Sequence, residues 1–246
     1  MLATAARVDL WVVGLAAQDL SIVQLYDLCS EDERRKSGAF HFERNRRDFI
    51  AGRGLLRCVL GWYLGSAPQD LVFKYGAFGK PTLEDHPHSL SVEFNVAHCE
   101  GWVVYAICRD REVGVDIEQI RQISTSVGFP TTFLAKEERD DIESLGPDAS
   151  RDAFFNCWTR KEAYLKATGR GLSESLDSFR VSVGADYSVL LSASESVRIS
   201  DWKILHVSPV EGYIGAIAIR AEQCTVFNRI HPCVEDCLHY LKDSPP

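Results

Sequence analysis

At 246 residues, 46% of them hydrophobic and 25% charged, the chain is able to bury one large core or two modest ones, which argues against a disordered protein. No apolar run approaches the roughly 20 residues needed to span a bilayer. The net charge of −8, with no spread aromatic set, argues against a nucleic-acid binder.

The first expected element is a strand over Val8 to Gly14, because Asp9 interrupts the apolar N-terminal stretch that a cleavable leader would keep intact. Ser30 followed by Glu33 predicts a capping box that opens a short basic helix. A long helix follows over 40–64, stopped by Gly65 and Pro68. Strands are expected at 71–75, 91–96, 102–108 and 112–117, then helices at about 130–145 and 149–168 with Gly146 and Pro147 between them. Four more strands and a terminal helix complete the chain. No low-complexity linker divides it, so a single rigid body is expected.

Residues 93–109 and 204–220 align without a gap at an offset of 111, sharing Val96/Val207, Glu100/Glu211, Gly101/Gly212 and Arg109/Arg220. Both segments read as strand, turn, strand, and each follows a helix and a further strand. The pattern predicts an α+β protein of two similar halves, divided as 1–112 and 113–246.

Eight cysteines occur without a CxxC pair, and most stand singly in apolar surroundings, as reduced thiols of a cytoplasmic protein do. His231, Cys233, Cys237 and His239 meet only half of the spacing rules for zinc, so that segment reads as an ordinary terminal helix. Charge is uneven. Residues 34–57 carry eight basic side chains (Arg34, Arg35, Lys36, Arg44, Arg46, Arg47, Arg53 and Arg57) against Glu43 and Asp48. That is an anion-binding surface on an acidic protein, though some of these arginines serve only to solvate the helix or to pair with its acids.

Two strings carry most of the chemistry. In the strand GVDIE, 114–118, alternation sends Asp116 and Glu118 to one face and Val115 and Ile117 to the other. In the helical string WTRKEAYLKATGRG, 158–171, Trp158, Glu162 and Lys166 recur at i, i+4 and i+8 along one stripe. Three carboxylates brought together resist ionising unless a cation joins them, and hard oxygen donors in that number suit Mg²⁺ carried with a phosphate-bearing substrate. Read blandly, the strand acids are a solvated sheet face and Lys161, Glu162 and Lys166 a surface ion-pair ladder. Gly169 and Gly171, which end the helix around Arg170, favour the chemical reading because they let backbone approach phosphate.

With FGKPTL at 78–83, FNVAHCEGW at 94–102 and the basic helix at 40–57, these strings resemble the 4′-phosphopantetheinyl transferases. They are most similar to the larger single-chain, surfactin-synthetase-activating subgroup, which serves carrier proteins of peptide and polyketide synthesis. The resemblance implies two halves related by a pseudo-twofold, each a small antiparallel sheet packed on a long helix, with the site in the cleft between them. It implies transfer of the phosphopantetheine arm from coenzyme A to a serine of an apo acyl, peptidyl or aryl carrier protein, releasing 3′,5′-ADP. By the same likeness Asp116, Glu118 and Glu162 bind Mg²⁺ and Lys166 lies near the coenzyme's phosphates. Asn95, His98, Lys80 and Pro81 lie near the coenzyme, as do at least two of Arg44, Arg47 and Arg53.

Ala97 departs from the family's usual serine. One neutral hydrogen bond, worth about 0.5–1.5 kcal/mol, is too little to abolish function. Glu162, directly or through a bound water, is the expected base, with a metal-bound water as the alternative. Two other readings use the same residues: a metal-dependent nucleotide phosphohydrolase, and a noncatalytic coenzyme- or carrier-binding module. The apolar stretch from Phe129 to Leu134 is the expected carrier contact. Two halves in one chain already form a cleft, so a monomer is expected.

Overall fold

The computed structural model describes residues 5–84, 92–121, 133–171, 174–185, 187–193 and 197–243. Strand β1 (Ala6–Gly14) leads into helices α1 (Asp19–Leu28), α2 (Glu31–Gly38) and α3 (Glu43–Leu64). Short strands β2 (Phe73–Tyr75) and β3 (Pro81–Leu83) precede the hairpin of β4 (Val92–Cys99) and β5 (Trp102–Arg109). The second half runs through β6 (Val113–Gln119), α4 (Lys136–Glu143), α5 (Pro147–Thr168), β7 (Arg180–Val181) and β8 (Leu190–Ser192). It continues through the hairpin β9 (Lys203–Val207) and β10 (Tyr213–Ile219). Strand β11 (Cys224–His231) and helix α6 (Val234–Asp243) close the chain.

The capping box forms as its residues require: Ser30 Oγ accepts from Glu33 N–H, and Glu33 Oε2 accepts from Ser30 N–H. Helix α1 lacks a side-chain cap and was not evident in the sequence. The two long helices, each of 22 residues, end alike at glycines in the left-handed region, Gly65 (φ 62°) and Gly169 (φ 67°). Pro147 lies inside α5, in its first turn, where a missing N–H costs nothing.

Two sheets form the centre, one ordered β11-β1-β5-β4 and the other β6-β10-β9. Within them β1-β5-β4 and β6-β10-β9 repeat one connection, strand, helix, hairpin, with the third strand central. The hairpin turns repeat too: Gly101 and Gly212 have φ of 80° and 78°. The sheets face each other through Val8, Leu10, Val104, Val115, Ile117 and Ile217. Trp11, Val13 and Tyr105, on the opposite face of the first sheet, pack with α3, while Ala216 and Ala218 on the second sheet pack with α5. Strand β11 returns to the first sheet and pairs with β1 in parallel, and Val234 and Cys237 of α6 join the same core. All eight cysteines are free thiols. Among the described residues no helix is long and apolar enough to cross a membrane.

Candidate active site

Strand β6 turns Asp116 toward α5 at a place where strand and helix nearly touch. A side chain at Gly114 would collide with backbone atoms of Ala163 and Ala167, so only glycine fits there. The close contact buries Asp116, which is 5% exposed. Helix α5 is buried almost all round along its second half, and the less buried positions include Trp158, Glu162 and Lys166, the stripe the spacing foretells. Lys166 Nζ donates to Asp116 Oδ1 at 2.6 Å. Burial, with repulsion from Glu162 and Glu118, nonetheless pushes the Asp116 carboxyl up to about 7 against the pull of Lys166. Burial also raises Glu162, with Lys166 opposing and Glu118 adding to the rise. Glu118, half-buried, takes a hydrogen bond from the Cys99 thiol at 3.6 Å.

Among the described residues no group of three or more His, Cys, Asp or Glu side chains is gathered as a ready metal cage. The Asp116 carboxyl feels the charges of both Glu162 and Glu118. Three like charges repel, and the adjacent ammonium of Lys166 satisfies one oxygen of Asp116 instead. The other oxygen, Oδ2, is buried without a hydrogen-bond partner. A donor set of carboxylate oxygens with one buried lone pair unspent fits a hard divalent cation.

Beside these acids a groove of about 580 Å³ runs between α3 and β4, lined by Lys36, Arg44, Arg53, His98 and Pro81 over an apolar floor that includes Phe49 and Leu56. Arg53 is held over the Phe73 and Tyr75 rings and its Nη1 is buried without a hydrogen-bond partner. Arg44, largely exposed, stands 3.8 Å from Asp48 and 3.9 Å from Glu100. The His98 imidazole is lowered by its partial enclosure in the groove and by the Lys166 and Lys36 charges, with Asp48 opposing. Cys99, which lines the groove, brings its wall against Glu118 of the acid-bearing strand.

Other residues expected here are engaged elsewhere. Arg47 binds Asp19 at 2.7 Å and the carbonyl of Ala17. Lys80 donates to the carbonyls of Ala167 and Val113, tying the end of α5 to β6, and burial lowers its pKa. Asn95 is 4% exposed and its Oδ1 accepts from Val115 N–H at 3.0 Å. Arg57 is buried against Glu33 at 2.7 Å and two backbone carbonyls. Lys161 is buried in an ion pair with Glu138 at 2.9 Å, a partner with no signal in the sequence. Gly171, at φ 52°, abuts Phe78. His231 stacks on Trp11, and His239 pairs with Asp243. Of the expected carrier contact, residues 129–132 lie outside the described residues, while Phe133 packs edge-on to Trp158 and Leu134 is buried.

Two family models divide the chain between them. The 4′-phosphopantetheinyl transferase superfamily model matches residues 112–218, and the model for the N-terminal part of 4′-phosphopantetheinyl transferase matches residues 17–110. The 4′-phosphopantetheinyl transferase HetI of Nostoc sp. is 32% identical, over 87% of this chain and 87% of that protein. This chain is a 4′-phosphopantetheinyl transferase. The family also includes Sfp of Bacillus subtilis, 30% identical over 76% of this chain and 80% of that one. The ffp protein of Bacillus subtilis is 32% identical over 79% and 83%. A solved holo-[acyl-carrier-protein] synthase of Thermotoga maritima overlays with a TM-score of 0.36 at 16% identity, covering 46% of this chain and 64% of that chain. The two models meet within the β5–β6 connection, so the 4′-phosphopantetheinyl transferase signature spans both halves and the acid-bearing strand opens the second.

Proposed function

We propose that this transferase moves the 4′-phosphopantetheine arm of coenzyme A onto a serine hydroxyl of an apo acyl, peptidyl or aryl carrier protein, releasing 3′,5′-ADP with Mg²⁺ as cofactor. One observation carries the reading: Cys99, in the wall of a groove lined by cations, meets Glu118 on the strand whose Asp116 pairs with Lys166. Lys36, Arg44 and Arg53 offer charge-assisted hydrogen bonds to the coenzyme's phosphates, and Pro81 shapes the wall. His98 adds an imidazole to the groove lining, a group able to hydrogen-bond the coenzyme.

Asp116, Glu118 and Glu162 would hold the metal, and its charge, when bound, offsets the negative charge that grows on the pyrophosphate in the transition state. The serine oxygen bonds to the phosphorus of the phosphopantetheine arm as the bond from that phosphorus to 3′,5′-ADP breaks. Lys166 neutralises the departing phosphate. Glu162, directly or through a bound water, takes the serine proton. Free thiols throughout support a reducing, cytoplasmic setting, and a cleft completed by one chain supports a monomer.

The test is to incubate the protein with apo carrier protein, coenzyme A and Mg²⁺ and weigh the carrier by mass spectrometry. A gain of one phosphopantetheine arm is expected. Consumption of coenzyme A with no gain in carrier mass would instead indicate a phosphohydrolase.

A further inference from the structure

We infer that Asn95 is a positioning residue of the transfer reaction: its side chain fixes where β6 stands along β4, and so where Asp116 and Glu118 sit against the groove. The inference rests on the role given to those acids above. Strand β6 pairs with β10 along one edge only. Packed along β6 as well is β4, which belongs to the other sheet, so no backbone ladder sets the register between them. A buried N–H there needs an acceptor, and Val115 N–H finds it in Asn95 Oδ1 at 3.0 Å.

The face of β4 that bears Asn95 also bears Ala97 and Cys99. Ala97 packs in the core between the sheets, and Cys99 meets Glu118. Two side chains of β4 thus grip β6 at Val115 and Glu118, on either side of Asp116. Of the two, Asn95 is the stronger hold, because an amide oxygen is a better partner than a thiol at 3.6 Å. Asn95 is among the buried polar residues and is absent from the groove lining. It therefore acts on the acids through the backbone and not on the coenzyme.

Two variants test this. Asn95→Leu keeps the volume and removes the acceptor, whereas Asn95→Asp keeps an acceptor. Four quantities are read: kcat, KM for coenzyme A, hydrogen exchange of the Val115 amide by NMR, and Mn²⁺ affinity by EPR with coenzyme A present and carrier absent. In Asn95→Leu, kcat and Mn²⁺ affinity should each fall about 10-fold or more while KM for coenzyme A stays within about twofold, and Val115 should exchange faster. Asn95→Asp should hold kcat and Mn²⁺ affinity within about threefold of wild type.

A raised KM with unchanged kcat and Mn²⁺ affinity would make Asn95 a coenzyme contact and overturn the inference. So would equal losses in both variants, or a folded Asn95→Leu protein with wild-type values. If Asn95→Leu does not fold, Asn95→Asp decides: retained Val115 protection and Mn²⁺ affinity sustain the inference, and their loss overturns it. Wild type that binds no Mn²⁺ would refute the role given to the acids, while the kcat–KM split and Val115 exchange would still judge Asn95.

Discussion

The two halves hold the same backbone frame and fill it with opposite chemistry. Asp116 lies opposite Ala216 as Trp11 lies opposite Tyr105, and those partners are 111 residues apart, the offset of the internal repeat. Likewise Val13 matches Glu118. Counted from the helix starts, Cys58 and Trp62 of α3 hold the places of Glu162 and Lys166 in α5. Where the second half has an ion pair of 2.6 Å, the first has two indole rings 5.9 Å apart, edge to face. One arrangement leaves a buried carboxylate oxygen unspent; the other is core. The frame sets distances, and four side chains decide whether the result is a site or a stabilising cluster.

The largest contrast should come from the matched pair itself. Asp116→Asn should lower transfer by about 100-fold or more with the protein still folded. Trp11→Ala should cost about 3–5 kcal/mol of stability while the folded fraction keeps its kcat. Chemical denaturation alongside single-turnover transfer measures both, and equal behaviour of the two variants would break the comparison.

Glu162→Gln should come next, lowering kcat about 100-fold through loss of a general base, with KM for coenzyme A unchanged. Turnover near wild type would remove Glu162 from that role. The neighbouring lysine sharpens the contrast within one motif. Lys161→Met leaves Glu138 buried and unpaired, so stability should drop by about 3–5 kcal/mol with kcat of the folded protein preserved, as read by denaturant titration.

The smallest effect is in pH. Asp116 titrates at about 7 when folded against 3.8 ordinarily, so the folded chain keeps a proton that the unfolded chain releases. The contribution of Asp116 to stability then falls as pH rises from 3.8 to about 7 and levels off above that. Melting temperatures measured in chelator should show it as a difference: wild type should lose stability relative to Asp116→Asn across that range, and a constant difference would refute it.

Both long helices, the capping box and the two hairpins were legible because periodicity and caps are local signals. The stripe of α5 and the alternation of β6 were legible for the same reason. What the sequence did not disclose depends on tertiary partners. Lys161 and Lys166 look alike in one helix, yet Glu138 claims the first and Asp116 the second. Arg47, Arg53 and Arg57 look alike in α3, yet Asp19 claims Arg47, Glu33 pairs with both Arg53 and Arg57, and of the three Arg53 lines the groove. Asn95 carried a motif but not the direction of its side chain. Helix α1, lacking a capping side chain, gave no local cue.

Strand β11 also governs the order in which the molecule can be finished. Because β1 is flanked by β5 on one side and by the penultimate element on the other, a ribosome must deliver residues 224–231 before the earliest strand is covered. Until then β1 presents a bare, apolar edge to its surroundings, the sort of template on which nascent chains pair with one another. Pairing of β11 with β1 thus closes an edge that the first strand would otherwise leave open.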